Sequence, residues 1–153
     1  MQVALASSLL AVFAALAALL SGHDANESMM EQIQSSDQWA HYQSKSIKES
    51  VQRSQAETLK ALGKEVPAKI ERDLERYEKE KEEIAERAKE KAEKSEHLLA
   101  RHERFSIAVT FFQVAIGVAA ISVLTTRRRF FFVSLCFGLA GLAMLVEIGR
   151  AHV

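Results

Sequence analysis

The sequence predicts an all-α membrane protein with three transmembrane helices. A long antiparallel helical hairpin, a coiled-coil-like stalk, is inserted between the first and the second. Charged side chains make up 26% of the 153 residues, yet nearly all lie between residues 24 and 104. The segments 3–20, 105–124 and 130–149 contain almost none. Between residues 23 and 104, moreover, one glycine and one proline occur, Gly63 and Pro67, close together near the middle. A chain segregated in this way is suited to two solvents, lipid and water.

Three segments have the length that a bilayer requires. A hydrocarbon core of about 30 Å needs roughly 20 apolar residues at a rise of about 1.5 Å per residue. We therefore predict transmembrane helices over residues 3–21, 105–124 and 130–149. No basic residue precedes the first segment, so we expect an uncleaved span there and not a secretory signal peptide.

Three consecutive arginines separate the second and third spans: Arg127, Arg128 and Arg129. Each would cost about 2.5–3.5 kcal/mol at the centre of the bilayer, so residues 125–129 are predicted to form a loop in water or headgroups. Short loops rich in arginine tend to remain in the cytoplasm. This rule predicts a cytoplasmic arginine loop and an extracytoplasmic stalk, although Arg101 and Arg104, before the second span, favour the reverse orientation.

The stalk is predicted over residues 22–104, with its turn at 63–67, because glycine suits a helix end and proline a helix start. The first arm carries apolar or small residues at a spacing closer to eleven-residue repeats than to heptads. They are Met29, Ile33, Ser36, Ala40, Ser44, Ile47, Val51, Thr58 and Leu62. The series of the second arm, interrupted by Lys81, Lys91 and His102, is Ile70, Leu74, Tyr77, Ile84, Ala88, Ser95, Leu98 and Phe105.

These two series are predicted to face each other, and they form a sparse interface for a two-stranded coiled coil. Either the hairpin is flexible, or neighbouring copies bury what one hairpin leaves exposed, which predicts a homo-oligomer. Acidic and basic residues alternate along the second arm, as in Glu75/Lys79, and the formal net charge is +0. We therefore interpret the charged run as a solvated helix surface and exclude nucleic acid as a partner.

Small residues recur at helical spacing in the spans, where they let helices approach closely. They are Ala4, Ala11, Ala15 and Ala18 in the first span, Ala115/Ala119 in the second, and Ser134/Gly138 with Gly141 in the third. Packing within one chain and association between chains both explain such positions, and we favour the first for most of them.

One segment of the stalk contains the only tryptophan of the chain, and its residues form a candidate interaction or register cluster. The cluster consists of Asp37, Gln38, Trp39, His41, Tyr42 and Lys45. Helical spacing places Gln38, Tyr42 and Lys45 on one face and Asp37 and His41 on another. Trp39 is expected to pack on the second arm, roughly opposite Glu90–Lys94. The cluster is interpreted as setting hairpin register or an intersubunit contact, with a ligand or partner site as the alternative.

The remaining polar features indicate no chemical activity. Gln113 and Glu147 are the strongly polar residues within the spans, and Glu147 lies close enough to a span end to reach the headgroups. The histidines are scattered along the chain, at 23, 41, 97, 102 and 152, and no metal, nucleophile or phosphate-binding motif occurs. We predict no catalytic residue, no metal site and no cofactor. The single cysteine, Cys136, is expected to pack as a small apolar residue.

The chain resembles an uncharacterised family of small bacterial membrane proteins, a domain-of-unknown-function family. The resemblance is carried by SGHDANESMMEQI (21–33), SDQWAHYQSKSIK (36–48), ERYEKEKEEI (75–84) and RHERF (101–105). The signature SDQWAxYQxKSIK is the most specific of these stretches, and His41 occupies a position where an aromatic residue is more usual. The resemblance implies a multi-pass protein of the bacterial inner membrane, which would make the stalk periplasmic, and it implies no activity.

These observations favour a non-enzymatic integral membrane scaffold or assembly protein that self-associates through stalk and spans. Its expected partners are the lipid bilayer, further copies of the chain and an unidentified envelope protein. The alternative is a channel or transport-associated subunit, with a pathway near Gln113 and Glu147.

Overall fold

The computed structural model describes residues 2–150, which form three α-helices. They are α1 (Gln2–Ala61), α2 (Ala68–Thr125) and α3 (Arg128–Arg150). The all-α prediction is confirmed, since no β-strand occurs within the described range. Each helix contains a segment long and apolar enough to cross a membrane. Ser21 and Gly22, where a weak point could be expected, lie inside the uninterrupted α1.

The helices contribute to two compact units. The first comprises the described residues up to Ser28 together with those from Glu96 onward, and the second is Met29–Ser95. The first unit therefore contains all of α3 and the apolar parts of α1 and α2, whereas the second contains most of the charged residues.

The core of the first unit is built from apolar side chains of α1 and α2. Leu10, Ala17, Ala108, Phe112 and Ala115 are buried there. Phe112 is completely buried, and the ring of Phe13 stacks on it with a centroid distance of 6.1 Å. Apolar side chains of α3, among them Phe137, pack around this core.

Small residues let α3 approach the other two helices of this unit. The Ser134 hydroxyl donates a 2.7 Å hydrogen bond to the carbonyl oxygen of Ala115. A Cβ added to Gly138 would lie 2.7 Å from Leu10 Cδ2, and one added to Gly141 would lie 3.0 Å from Phe112 Cε1. These positions therefore pack within one chain, whereas the alanines at 4, 11, 15 and 18 are exposed in it.

The connection between α2 and α3 is shorter than the predicted loop at 125–129. Thr125 still belongs to α2, and Arg128 and Arg129 already belong to the first turn of α3. Thr126 has a φ of 55°, an uncommon conformation for a β-branched residue. The Ser122 hydroxyl donates to the carbonyl oxygen of Arg127 at 3.3 Å, which ties this short connection to the end of α2.

The connection between α1 and α2 covers residues 62–67 and includes the predicted turn at 63–67. Gly63 has a φ of 66°, which glycine adopts without the steric cost that a side chain brings. The amide of Gly63 donates to Lys60 O at 3.0 Å and that of Lys64 to Leu59 O at 2.9 Å. This pair of bonds is a Schellman motif, which satisfies carbonyl groups at the end of α1.

In the second unit, the predicted series of the second arm forms the buried face of α2. Ile70, Ile84, Ala88 and Ser95 are buried, and Leu74 and Tyr77 are partly buried. The contacts of α2 with α1 run in antiparallel order, as the pairs Lys94/Glu31 and Glu80/Lys45 illustrate.

The predicted series of the first arm, by contrast, does not face α2, and this prediction is wrong. Met29, Ile33, Ile47, Val51 and Leu62 are 51–65% exposed. The buried positions of α1 in this unit are instead Glu31, Ser35, Glu49 and Ala56. The physical reason lies in α2, whose inner face includes lysines as well as apolar residues. Lysines that are partly buried require acidic partners, and only the polar side of α1 supplies them.

Candidate functional site

The candidate site of the second unit is a row of polar contacts between α1 and α2. Lys45 Nζ lies 2.5 Å from Glu80 Oε2. Glu49 binds Lys81 on α2 and Arg53 on its own helix at 2.8 Å. The sign of the charge therefore alternates from Lys45 to Glu49 along α1, and each partner on α2 carries the opposite sign.

The row continues along α1 toward Met29. Glu31 receives two lysines, with Lys94 Nζ at 2.6 Å and Lys91 Nζ at 2.9 Å from its two carboxylate oxygens. One turn C-terminal to Glu31, between it and Lys45, the hydroxyl of the buried Ser35 donates to the carbonyl oxygen of Ala88 at 2.8 Å. These contacts pair particular residues of the two helices, so together they define the register.

The ion pairs shift the titration of the carboxylates. Hydrogen bonds from Lys91 and Lys94 lower the pKa of Glu31 below its ordinary value of 4.5. The bonds from Lys81 and then Arg53 lower the pKa of Glu49 in the same way, and the bond from Lys45 lowers that of Glu80. Conversely, the bond to Glu49 raises the pKa of Lys81 above 10.5. These groups are therefore charged at neutral pH.

Aromatic side chains accompany the same contacts. The rings of Trp39 and Tyr42 meet edge to face at 5.5 Å, and Lys81 Nζ lies 5.6 Å from the centroid of the Tyr42 ring. Lys45 Nζ is 5.5 Å from the centroid of Tyr77. Cation–π contacts of this kind contribute about 0.5–1 kcal/mol at exposed sites.

The structure divides the residues of the predicted cluster between two surfaces. Gln38, Tyr42 and Lys45 are partly buried, whereas Asp37 and His41 are exposed. Trp39, with 37% exposure, contacts Tyr42 of its own helix.

The level predicted for Trp39 is wrong, because the lysines of the segment Glu90–Lys94 bind Glu31, more than two turns earlier on α1. Trp39 lies between Ser35, whose hydroxyl binds the carbonyl of Ala88, and Lys45, which binds Glu80. Its level on α2 therefore falls between Glu80 and Ala88.

Most residues of this site lie outside the predicted cluster, namely Glu31, Ser35, Glu49, Arg53, Tyr77, Glu80, Lys81, Lys91 and Lys94. A signal for one pair was present. If the chain is folded back about Glu65, at the centre of the predicted turn, Glu49 falls opposite Lys81. Lys81 interrupts the apolar series of the second arm, and the acidic partner that such a lysine requires is Glu49 on the opposite arm.

The first unit contains a second polar cluster. Asp24 is completely buried and accepts two bonds from the Arg101 guanidinium, of which the Nε–Oδ2 bond measures 2.5 Å. Ser21 Oγ lies 2.9 Å from His102 Nδ1 and 2.9 Å from Ser106 Oγ. The bond to Asp24 raises the pKa of Arg101 despite the opposing effect of burial. This cluster joins α1 to α2 within the unit.

The remaining predicted site residues lie on the surface of a single chain. Gln113 and Glu147 are both exposed, as are Arg127, Arg128 and Arg129. Glu147 lines a cavity of about 270 Å³ together with Arg104, Met144 and Ile148. Arg128 and Arg129 occupy the first turn of α3, where cations are opposed by the helix dipole, so they contribute little to the stability of that helix.

The charged groups of the site neutralise one another across α1 and α2. Among the described residues no group of three or more His, Cys, Asp or Glu could hold a metal ion. His152 lies outside the described residues.

Helices of this length and apolarity, connected to a unit built on charge pairs, define an all-α protein with three potential membrane spans. The chain belongs to the family described as Domain of unknown function (DUF4337), whose model matches residues 1–148. Comparison with curated proteins and with solved structures finds no match.

Proposed function

We propose that this protein is a non-enzymatic membrane scaffold of the bacterial inner membrane, anchored by three spans and self-associating through stalk and spans. The second unit, Met29–Ser95, is its antiparallel, coiled-coil-like stalk, and an envelope protein is a further potential partner. The observation that carries the proposal is the row of charge pairs by which α1 and α2 align in this unit. Such polar contacts contribute more to a defined register than to stability, and a defined register is what a scaffold needs.

The arginines at 127–129 support an orientation with this end in the cytoplasm and the stalk in the periplasm. Single cysteines at Lys64 and Thr126, in a Cys136→Ser background, would test it with a membrane-impermeant thiol reagent on intact cells. We expect labelling at position 64 only. Labelling at position 126 and not at 64 would reverse the proposed orientation.

The scaffold proposal itself is tested by extraction and by mass. We expect the full chain to remain with membranes after alkaline carbonate washing. We also expect the detergent-solubilised protein to have a multiple of its 17.0 kDa chain mass after correction for bound detergent. A chain that washes off would contradict the membrane anchor, and a monomer would contradict self-association.

A channel or transport-associated subunit is the second candidate, supported by the exposure of Gln113 and Glu147 in a single chain. Polar residues of this kind in apolar helices often face a water-filled pathway. If the protein conducts ions, Glu147→Gln and Gln113→Leu should abolish flux in liposomes while leaving the oligomer intact. Absence of flux from the wild-type protein, or flux unchanged in both variants, would reject this candidate.

A further inference from the structure

The side of α1 that faces away from α2 in the second unit carries an uncharged stripe. It consists of Met29, Gln32, Ile33 and Ser36, of the positions eleven and twenty-two residues further along, and of Leu62. Every one of these positions is exposed. The charged residues of this part of α1, such as Glu31 and Glu49, all lie outside the stripe.

The stripe exposes large apolar side chains to solvent, which is energetically unfavourable. Ile33, Ile47 and Val51 are 51%, 65% and 61% exposed, and burial of this apolar surface against a partner would be favourable. Positions of the stripe repeat every eleven residues, as in Met29, Ala40, Val51 and Leu62, which is the spacing of a helix that packs lengthwise along another helix. Within the unit α2 does not fill this role, because it contacts the opposite, polar side of α1.

We propose that a second copy of this chain packs parallel and in register along the uncharged stripe, with the Trp39 indole of each copy donating to the Asp37 carboxylate of the other. This inference rests on the proposed membrane anchoring and self-association. Two copies inserted in one bilayer have parallel α1 helices at the same height. Each stripe residue then meets its own counterpart, so that Ile33 packs on Ile33 and Ala40 on Ala40.

The margins of the stripe are complementary at the level of Ala40. At 3.6 residues per turn, Asp37 lies at one margin and Trp39 at the other. Asp37 has no ion pair, and the Trp39 indole has no hydrogen bond, with any residue that the structure describes. A parallel copy brings the donor margin of one chain beside the acceptor margin of the other, twice in a symmetric pair. Ser36, Ala40 and Ser44 are small and leave room for the indole at this level.

The size of the stripe explains why membrane anchoring matters. The stripe runs from Met29 to Leu62, a helical length of about 50 Å, and is about 10 Å wide, which gives a footprint of roughly 500 Å² per copy. The total of roughly 1,000 Å² is near the lower limit of specific interfaces. Serine, threonine and glutamine occupy many of the positions, so the contact is weak by itself. Confinement of both copies to one membrane raises their effective concentration and compensates for this weakness.

The test uses the full chain in native membranes, with Cys136 replaced by serine and one new cysteine at a time. Ser36→Cys and Ala40→Cys lie on the stripe, and Lys89→Cys, exposed on α2 near the level of Ser35, is the matched control. A disulfide requires Cα atoms within about 4.4–6.8 Å, so a stripe residue is linked only if it meets its own counterpart. We expect oxidation to link most chains with Ser36→Cys or Ala40→Cys into dimers and few with Lys89→Cys.

The hydrogen bond is tested by a double-mutant cycle on dimerisation of the full chain in detergent. Trp39→Phe keeps an aromatic side chain and removes the indole N–H donor, and Asp37→Ala removes the acceptor. Each should weaken dimerisation roughly tenfold or more, and the two together should have no larger effect than either alone. Additive effects would overturn the proposed bond.

The possible outcomes separate this inference from the proposed function. An oligomer whose stripe cysteines form no more disulfide than Lys89→Cys would reject the stripe as the interface and leave self-association standing. A chain that is monomeric in the membrane would reject both. A chain that carbonate washing releases would reject the membrane scaffold, and the same cysteines in the released protein would still show whether the stripe pairs.

Discussion

Asp24 and Arg101 form a bidentate ion pair in which the carboxylate is completely buried and the guanidinium is 21% exposed. The pair joins α1 to α2 in the first unit, outside the segments predicted to cross the membrane. A buried carboxylate is costly without a partner, so Asp24 can be buried at this position only because Arg101 binds it.

We expect Asp24→Ala to destabilise the protein by about 2–3 kcal/mol. Removing one member of a buried pair costs about 3–5 kcal/mol, and the partial exposure of Arg101 lowers that figure. Thermal unfolding in detergent, followed by circular dichroism, measures the effect. Glu103→Ala, an exposed acidic position in the same unit, is the control and should change stability little. Equal effects of the two variants would show that the pair contributes nothing.

Stability should fall on acidification below about pH 4.5. The pKa values of Glu31, Glu49 and Glu80 are lowered by their lysine partners. A carboxylate with a lowered pKa in the folded state stabilises the protein above its unfolded pKa, and this contribution disappears as the pH falls through the folded value. Unfolding midpoints measured between pH 3 and pH 7 test this dependence.

Glu49→Gln identifies one carboxylate behind that dependence. The variant should unfold at a lower temperature than the wild type at pH 7, and the difference should shrink as the pH falls, because protonation of Glu49 removes the charge that its partners bind. Glu82→Gln, at an exposed position of α2, should follow the wild-type curve throughout. A difference for Glu49→Gln that persists unchanged at pH 3 would mean that the side chain acts through packing and not through its charge.

Gly141→Leu should destabilise the first unit, because a side chain at this position meets the buried ring of Phe112 at its Cβ. Overpacking of this kind costs about 1–3 kcal/mol. Gly117→Leu is the matched control, since a Cβ there has no neighbour within 4 Å, and both variants share the same gain in helix propensity of about 1 kcal/mol. The unfolding midpoint in detergent should be higher for Gly117→Leu than for Gly141→Leu. Equal midpoints would contradict the close approach of α3 to α2.

The fluorescence of Trp39 should report the proposed pairing of stripes, since it is the single tryptophan of the chain. Ile33→Glu places charge on the stripe, and the neighbouring Gln34→Glu places it on an exposed position outside the stripe. We expect emission from Ile33→Glu to shift to longer wavelength, as the indole gains contact with water, and emission from Gln34→Glu to remain at the wild-type position. The same emission from both variants would argue against burial of Trp39 by a second copy.

Local composition was sufficient to predict the all-α class, the three apolar segments and the connection around Gly63. Lipid-compatible segments are recognised from length and charge alone, and a helix end with a positive φ strongly favours glycine. The loop at the arginines was predicted too long, because helix ends are weakly encoded and α3 accepts Arg128 and Arg129 in its first turn.

The sequence by itself determined which residues share one face of each helix, because helical periodicity sorts charged and uncharged positions onto separate faces. Only the tertiary structure decided which face of α1 meets α2. The apolar series from Met29 to Leu62 was the natural choice from hydrophobicity. However, the inner face of α2 also carries Lys81, Lys91 and Lys94, and their charges require Glu31 and Glu49. The Asp24–Arg101 pair follows the same rule, since complementary charge between distant residues is visible only after the helices are aligned.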